Sequence, residues 1–221
     1  MIKAAIFDMD GTLLDSMNMW EDLIRQALVT AGIKDIEKRT KQFLSLTVDQ
    51  AVEVFRDEFG IETTSEEFIE QQDAYLSHYY REVVQLKPGS LELLKTLKNA
   101  GLKLCLAKHS HKAYVDDVLN RFDMAKYFDF VLTADVMHCS KEDPKFFETC
   151  FDLLQVYPHN CAVFEDSLKA ASFAKKMGTF ICGIFEPYWG KEPQAQLKKL
   201  ADIYVNDLSH VKFVDGDLVA I

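Results

Sequence analysis

The chain has 221 residues, enough for one large domain or a domain carrying a smaller insert, and its 48% hydrophobic content can supply a core. A formal net charge of -10 disfavours a nucleic-acid surface, which needs stripes of Lys and Arg, but is compatible with a small phosphorylated substrate held by local lysines or a cation. No apolar run approaches the length of a membrane span, no leader is expected, and the five cysteines (Cys105, Cys139, Cys150, Cys161 and Cys182) form no CxxC pair, so a cytoplasmic protein with reduced thiols is expected.

The first predicted strand is the apolar run Ala4-Ala5-Ile6-Phe7, which leads into two carboxylates, Asp8 and Asp10, one residue apart. Gly11 lets the chain bend away behind them. The acids therefore stand at the carboxyl end of a buried strand, where open α/β sheets place their ligand crevice. Paired carboxylates there can hold a divalent cation, attack an electrophile or move a proton.

From residue 16 to 86 the pattern is helical. Trp20, Leu23, Ile24, Ala27, Leu28 and Ala31 recur at helical spacing, as do Ala51, Val54, Phe55 and Phe59, and a third helical stretch is expected to begin at Ser65. The aromatic stripe that includes Phe43, Phe55, Phe59 and Phe68 is expected to be this block's own core. Leu86-Lys87-Pro88-Gly89 reads as the return linker.

Beyond it, short apolar runs alternate with amphipathic stretches. Strands are predicted at 103–107, 130–133, 161–164, 180–183 and near 203–205, with helices at 90–100, 112–122, 145–154, 167–176 and 194–200. This alternation predicts an α/β fold, a doubly wound parallel sheet with helices on both faces. Residues 1–15 and 87–221 would form it, with 16–86 as an inserted all-helical domain.

Ile6-Phe7-Asp8-Met9-Asp10-Gly11-Thr12 resembles the first motif of the haloacid dehalogenase (HAD) superfamily, apolar-apolar-Asp-x-Asp-Gly-Thr. Further pieces follow in that family's order. Lys141-Glu142-Asp143-Pro144-Lys145-Phe146-Phe147 is similar to its Lys-x-x-Pro-x-x-Phe stretch, and Val163-Phe164-Glu165-Asp166-Ser167 again delivers carboxylates from a strand end. Leu106-Ala107-Lys108-His109-Ser110 departs from the pattern, because Lys108 stands where the family usually has Ser or Thr. The resemblance covers nearly the whole chain. It implies a Rossmann-like HAD core and a helical cap that closes over the crevice, excludes water and reads the substrate.

The resemblance also implies roles. Asp8 is the expected nucleophile, forming an aspartyl-phosphate that water hydrolyses. Asp10 is expected to protonate the leaving alcohol and later take a proton from water, while its backbone carbonyl joins the metal. An acid at this place points to phosphoryl transfer, since the dehalogenase branch generally lacks one. Lys141 would hold nucleophile and phosphoryl group together. The implied cofactor is Mg2+, with Asp8, Asp10, Asp166 and Glu165 as its ligand set. Lys108, His109 and Ser110 are the expected phosphate or substrate contacts; alternatively Lys108 pairs with Asp8 and blunts it, or Ser110 is the true donor.

The expected activity is Mg2+-dependent hydrolysis of a small phosphorylated metabolite by a monomer or weak dimer, with no nucleic-acid or membrane partner. A phosphomutase resembling β-phosphoglucomutase would share fold and nucleophile, but Ser45-Leu46-Thr47-Val48 lacks the basic residue of that enzyme's cap loop. A catalytically weak binding protein on the same scaffold is the third reading, motivated by Lys108.

Overall fold

The computed structural model describes residues 1–43, 46, 48–108 and 112–221. They form two compact units, Met1–Asp15 with Val84–Ile221 and Ser16–Val83.

The strands of the first unit are β1 (Ala4–Phe7), β2 (Leu14–Asp15), β3 (Gln85–Leu86), β4 (Lys103–Lys108), β5 (Phe130–Thr133), β6 (Cys161–Glu165), β7 (Phe180–Ile184), β8 (Ile203–Val205), β9 (Val211–Val214) and β10 (Asp217–Ala220). Six of them make one parallel sheet in the order β5-β4-β1-β6-β7-β8. β1 is bonded on both edges, and all four of its residues are buried. A parallel strand covered on both faces has no polar alternation, which explains the unbroken apolar run. The strand order reverses between β1 and β6, and such a switch point opens a crevice at the carboxyl ends.

In the second unit, α1 (Met17–Thr30), α2 (Ile36–Phe43), α3 (Val48–Phe59) and α4 (Ser65–His78) are followed by a π-helical turn at Tyr79–Val83. Among the described residues this unit holds no strand. Its aromatic rings pack on one another: Phe55 lies 4.9 Å from Phe43, 6.3 Å from Phe59 and 5.9 Å from Phe68 between centroids. Thr64 caps α4 in a reciprocal box, its hydroxyl accepting from Glu67 N at 3.1 Å while Glu67 Oε2 accepts from Thr64 N at 2.8 Å.

The sheet of the first unit is covered by α5 (Ser90–Asn99), α6 (Lys112–Arg121), α7 (Ala134–Met137), α8 (Pro144–Leu154), α9 (Leu168–Lys176) and α10 (Lys191–Leu200). Helix α8 shows how sequence sets position. Asp143 caps it by accepting from Lys145 N at 2.9 Å, and Pro144 occupies the first turn, where its missing N–H costs nothing. Phe146, Phe147, Cys150 and Leu154 then join Ile6, Cys105, Ala107 and Val163 in the core. Each such large apolar side chain contributes about 1.5–3 kcal/mol by burial.

Beyond β8, the last strand predicted from the sequence, the chain continues into an antiparallel hairpin, β9 with β10. Its turn residues Asp215 and Gly216 have φ of 52° and 88°, the left-handed pair that tight hairpins require. All five cysteines are free. No helix among the described residues is long and apolar enough to cross a membrane.

Candidate active site

β1 and β6 end side by side. Phe7 is in register with Phe164, their rings stack with centroids 4.2 Å apart, and Asp8 N donates to Phe164 O at 3.0 Å. The next residues on both strands are acids. One carboxylate oxygen from each of Asp8, Glu165 and Asp166 lies within 4.8 Å of the other two, and all three side chains are buried. Gly11 then adopts φ 76° and turns the chain back, so that Leu13 N and Leu14 N both donate to Met9 O at 2.9 Å.

Three buried carboxylates this close need positive charge nearby. Lys141 supplies some of it from the loop before α8. Its side chain is 2% exposed, and Nζ pairs with Asp8 and, at 3.1 Å, with Glu165. Burial pulls the ammonium's pKa down, but the charges of Asp8 and Glu165 outweigh it and hold the group above its ordinary value. Burial also raises Glu165, against the pull of Lys141. Asp166 is raised well above the usual carboxylate range, by burial first and then by the charges of Glu165 and Asp8. A second cation would offset this charge, and a cluster of carboxylate oxygens is a donor set for a hard divalent cation.

Lys108 ends β4 and pairs with Asp10 rather than with Asp8. The Asp10 carboxylate thus meets a lysine from the neighbouring strand β4. His109 and Ser110 lie outside the described residues, as does His111.

Residues 2–178 match the family model of haloacid dehalogenase-like hydrolases. The chain belongs to this family. The hydrolase is 30% identical over 219 residues to hexitol phosphatase B of Escherichia coli K12, covering 97% of this chain and 96% of that one. It is 27% identical over 177 residues to a phosphorylated carbohydrates phosphatase of Thermotoga maritima, covering 80% and 82%. In fold it matches the crystal structure of β-phosphoglucomutase from Clostridium difficile at a TM-score of 0.75 and 23% identity, over 96% and 94% of the two chains.

The hydrolase builds more around Asp166 than its motifs reveal. Thr12 donates to Asp166 Oδ1 at 3.2 Å, and the Trp189 indole donates to Oδ2 at 2.6 Å. Gln194 Nε2 donates to the Asp166 carbonyl at 3.1 Å, while its Oε1 accepts from Glu186 N at 3.2 Å and from the Tyr204 hydroxyl at 2.6 Å. Thr12 belongs to the first motif; Trp189 and Gln194 lie in none, and no local signal in the sequence marks them. Ser167 stands at the N-cap position of α9, but its hydroxyl makes no capping bond. Its backbone N–H donates instead to Glu165 Oε1 at 3.1 Å, orienting that carboxylate.

Proposed function

We propose that this hydrolase is a Mg2+-dependent phosphatase of a small phosphorylated carbohydrate. The observation that carries the reading is the cluster of Asp8, Glu165 and Asp166, buried and within 4.8 Å of one another, with Lys141 paired against it. The relatives named as phosphatases of hexitols and phosphorylated carbohydrates support the substrate class.

Asp8 is the nucleophile. Its free carboxylate oxygen attacks phosphorus, the bond from phosphorus to the leaving alcohol oxygen breaks, and Asp10 delivers a proton to that oxygen. Water then attacks the aspartyl-phosphate, Asp10 takes the water's proton, and inorganic phosphate departs with Asp8 restored. Lys141 keeps the Asp8 carboxylate fixed for in-line attack and offsets charge on the phosphoryl oxygens. Asp8, Asp166, Glu165 and the Asp10 carbonyl would hold Mg2+, which when bound neutralises part of the phosphoryl charge. Lys108 holds Asp10 in the resting protein and contacts a phosphoryl oxygen when substrate arrives, together with His109 and Ser110. The helical unit Ser16–Val83 serves as the cap that excludes water and reads the sugar.

The test is release of inorganic phosphate from a panel of sugar and polyol phosphates, with Mg2+ and with chelator. Turnover that needs Mg2+ and vanishes in Asp8→Asn is expected. Conversion of one sugar phosphate into its isomer without phosphate release would replace the phosphatase by a mutase. Tight binding without any turnover would leave only a binding protein.

A further inference from the structure

We propose that Trp189 is a positioning residue for Asp166, its indole N–H fixing the carboxylate in the orientation that takes Mg2+. This rests on reading Asp166 as a metal ligand. Trp189 is one of two tryptophans in the chain and lies in the loop after β7, outside all four motifs.

The geometry is specific. The 2.6 Å separation between Nε1 and Oδ2 is a close, direct contact between the indole N–H and the carboxyl group. The indole can only donate. With Trp189 on Oδ2 and Thr12 on Oδ1, the carboxylate cannot rotate about its terminal torsion without losing both bonds.

The loop that carries the indole is itself pinned. Glu186 Oε1 accepts from Tyr188 N at 3.2 Å, and Gly190 N donates to Pro187 O at 3.0 Å, closing a tight turn around Trp189. Glu186 Oε2 pairs with Lys87 at 2.7 Å, and Lys87 also donates to Phe185 O at 3.0 Å. This ion pair is buried, with Lys87 8% and Glu186 5% exposed. Gln194 joins the Asp166 carbonyl to Glu186 N, so backbone and side chain of Asp166 are both held from the segment after β7. Outer hydrogen-bond partners of this kind set ligand orientation, and their loss typically weakens metal binding about 10–100-fold.

A packing role is the rival, since the rings of Tyr188 and Trp189 meet edge to face at 5.2 Å. Trp189→Phe separates the two, because it keeps a ring and removes the N–H. The measurement is calorimetric titration with Mg2+ alone, on the whole chain, for the wild type, Trp189→Phe and Asp166→Asn, with thermal midpoints recorded in chelator. The expected result is Mg2+ binding by the wild type, none by Asp166→Asn, and about tenfold or weaker affinity in Trp189→Phe at an unchanged midpoint. Wild-type affinity in Trp189→Phe, with binding lost in Asp166→Asn, overturns the role of Trp189 and leaves Asp166 a ligand. A wild type that ignores Mg2+, or an Asp166→Asn protein that binds as well, overturns both. Should Trp189→Phe be unfolded in chelator, Trp20→Phe decides, because Trp189 is then the sole indole. Its emission is expected to change with the calorimetric midpoint, and emission that stays constant through Mg2+ saturation overturns the proposal.

Discussion

The ammonium of Lys108 is paired with the carboxylate of Asp10, and each residue is only 5% exposed. Two opposite charges thus share a nearly closed site at the ends of adjacent strands. Removing the cation from such a pair is costly, about 3–5 kcal/mol where burial is complete. Lys108→Met is therefore expected to lower the thermal midpoint and to reduce phosphate release about a hundredfold, the scale of losing a well-placed acid–base group. Lys108→Thr tests the opposite view. If it turns over faster than the wild type, Lys108 withholds Asp10 from the reaction instead of serving it.

Asp8→Asn keeps the shape of the site and removes the nucleophilic oxygen. Turnover is expected to fall by about 10⁴-fold or more, as in other enzymes stripped of their nucleophile. Rapid acid quench of the wild type, followed by mass measurement of the peptide bearing Asp8, should show one added phosphoryl group. That peptide should stay unmodified in Asp8→Asn.

Lys141→Met leaves Asp8 and Glu165 without the ammonium that both share. In chelator the protein is expected to lose about 3–5 kcal/mol of stability. Added Mg2+ should return part of that loss while turnover stays absent. Melting curves with and without Mg2+ check the first point, and phosphate release the second. Equal losses in both conditions would show that the metal does not share the lysine's counter-charge role.

The pH dependence follows from Glu165 and Asp166, whose native pKa values are both raised, chiefly by burial. Between the ordinary carboxylate range and those raised values, the native state binds more protons than the unfolded chain. Stability of the metal-free protein must then fall as pH rises through that window. Mg2+ should bind by displacing these protons, so its affinity is expected to rise with pH. At 100 times its dissociation constant it would add about 2.7 kcal/mol, or about 5–10 °C in a chain of this size. Melting curves at pH 5 and pH 8 test the slope. Calorimetry in buffers of different ionisation enthalpy tests the proton release, and identical heats in all buffers would refute it.

The sheet was readable because a strand buried on both faces must be apolar at every position, and Ala4 to Phe7 and Cys161 to Phe164 are. The acids that terminate those runs followed directly. The hairpin of β9 and β10 has a local sequence signal, Asp215-Gly216 between Val-Lys-Phe-Val and Asp-Leu-Val-Ala, but lies outside the strand–helix alternation that marks the sheet. Trp189 and Gln194 are different in kind. Each meets Asp166 only because the segment after β7 folds back across the end of β6, and nothing within a few residues of either one encodes that return. Lys108 was legible as a departure, but its choice of Asp10 over Asp8 depends on the register of β4 against β1.

That β1 lies between β4 and β6 also bears on biosynthesis. It is the first strand of the sheet to be made, and its two neighbours arrive about a hundred and about a hundred and sixty residues later. Until Glu165 and Asp166 leave the ribosome, Asp8 has no partners with which to assemble a metal pocket, and the sticky strand preceding it has both edges bare. Nascent chains stalled before residue 165 should therefore depend on chaperones, and competence for phosphoryl chemistry should switch on late and all at once.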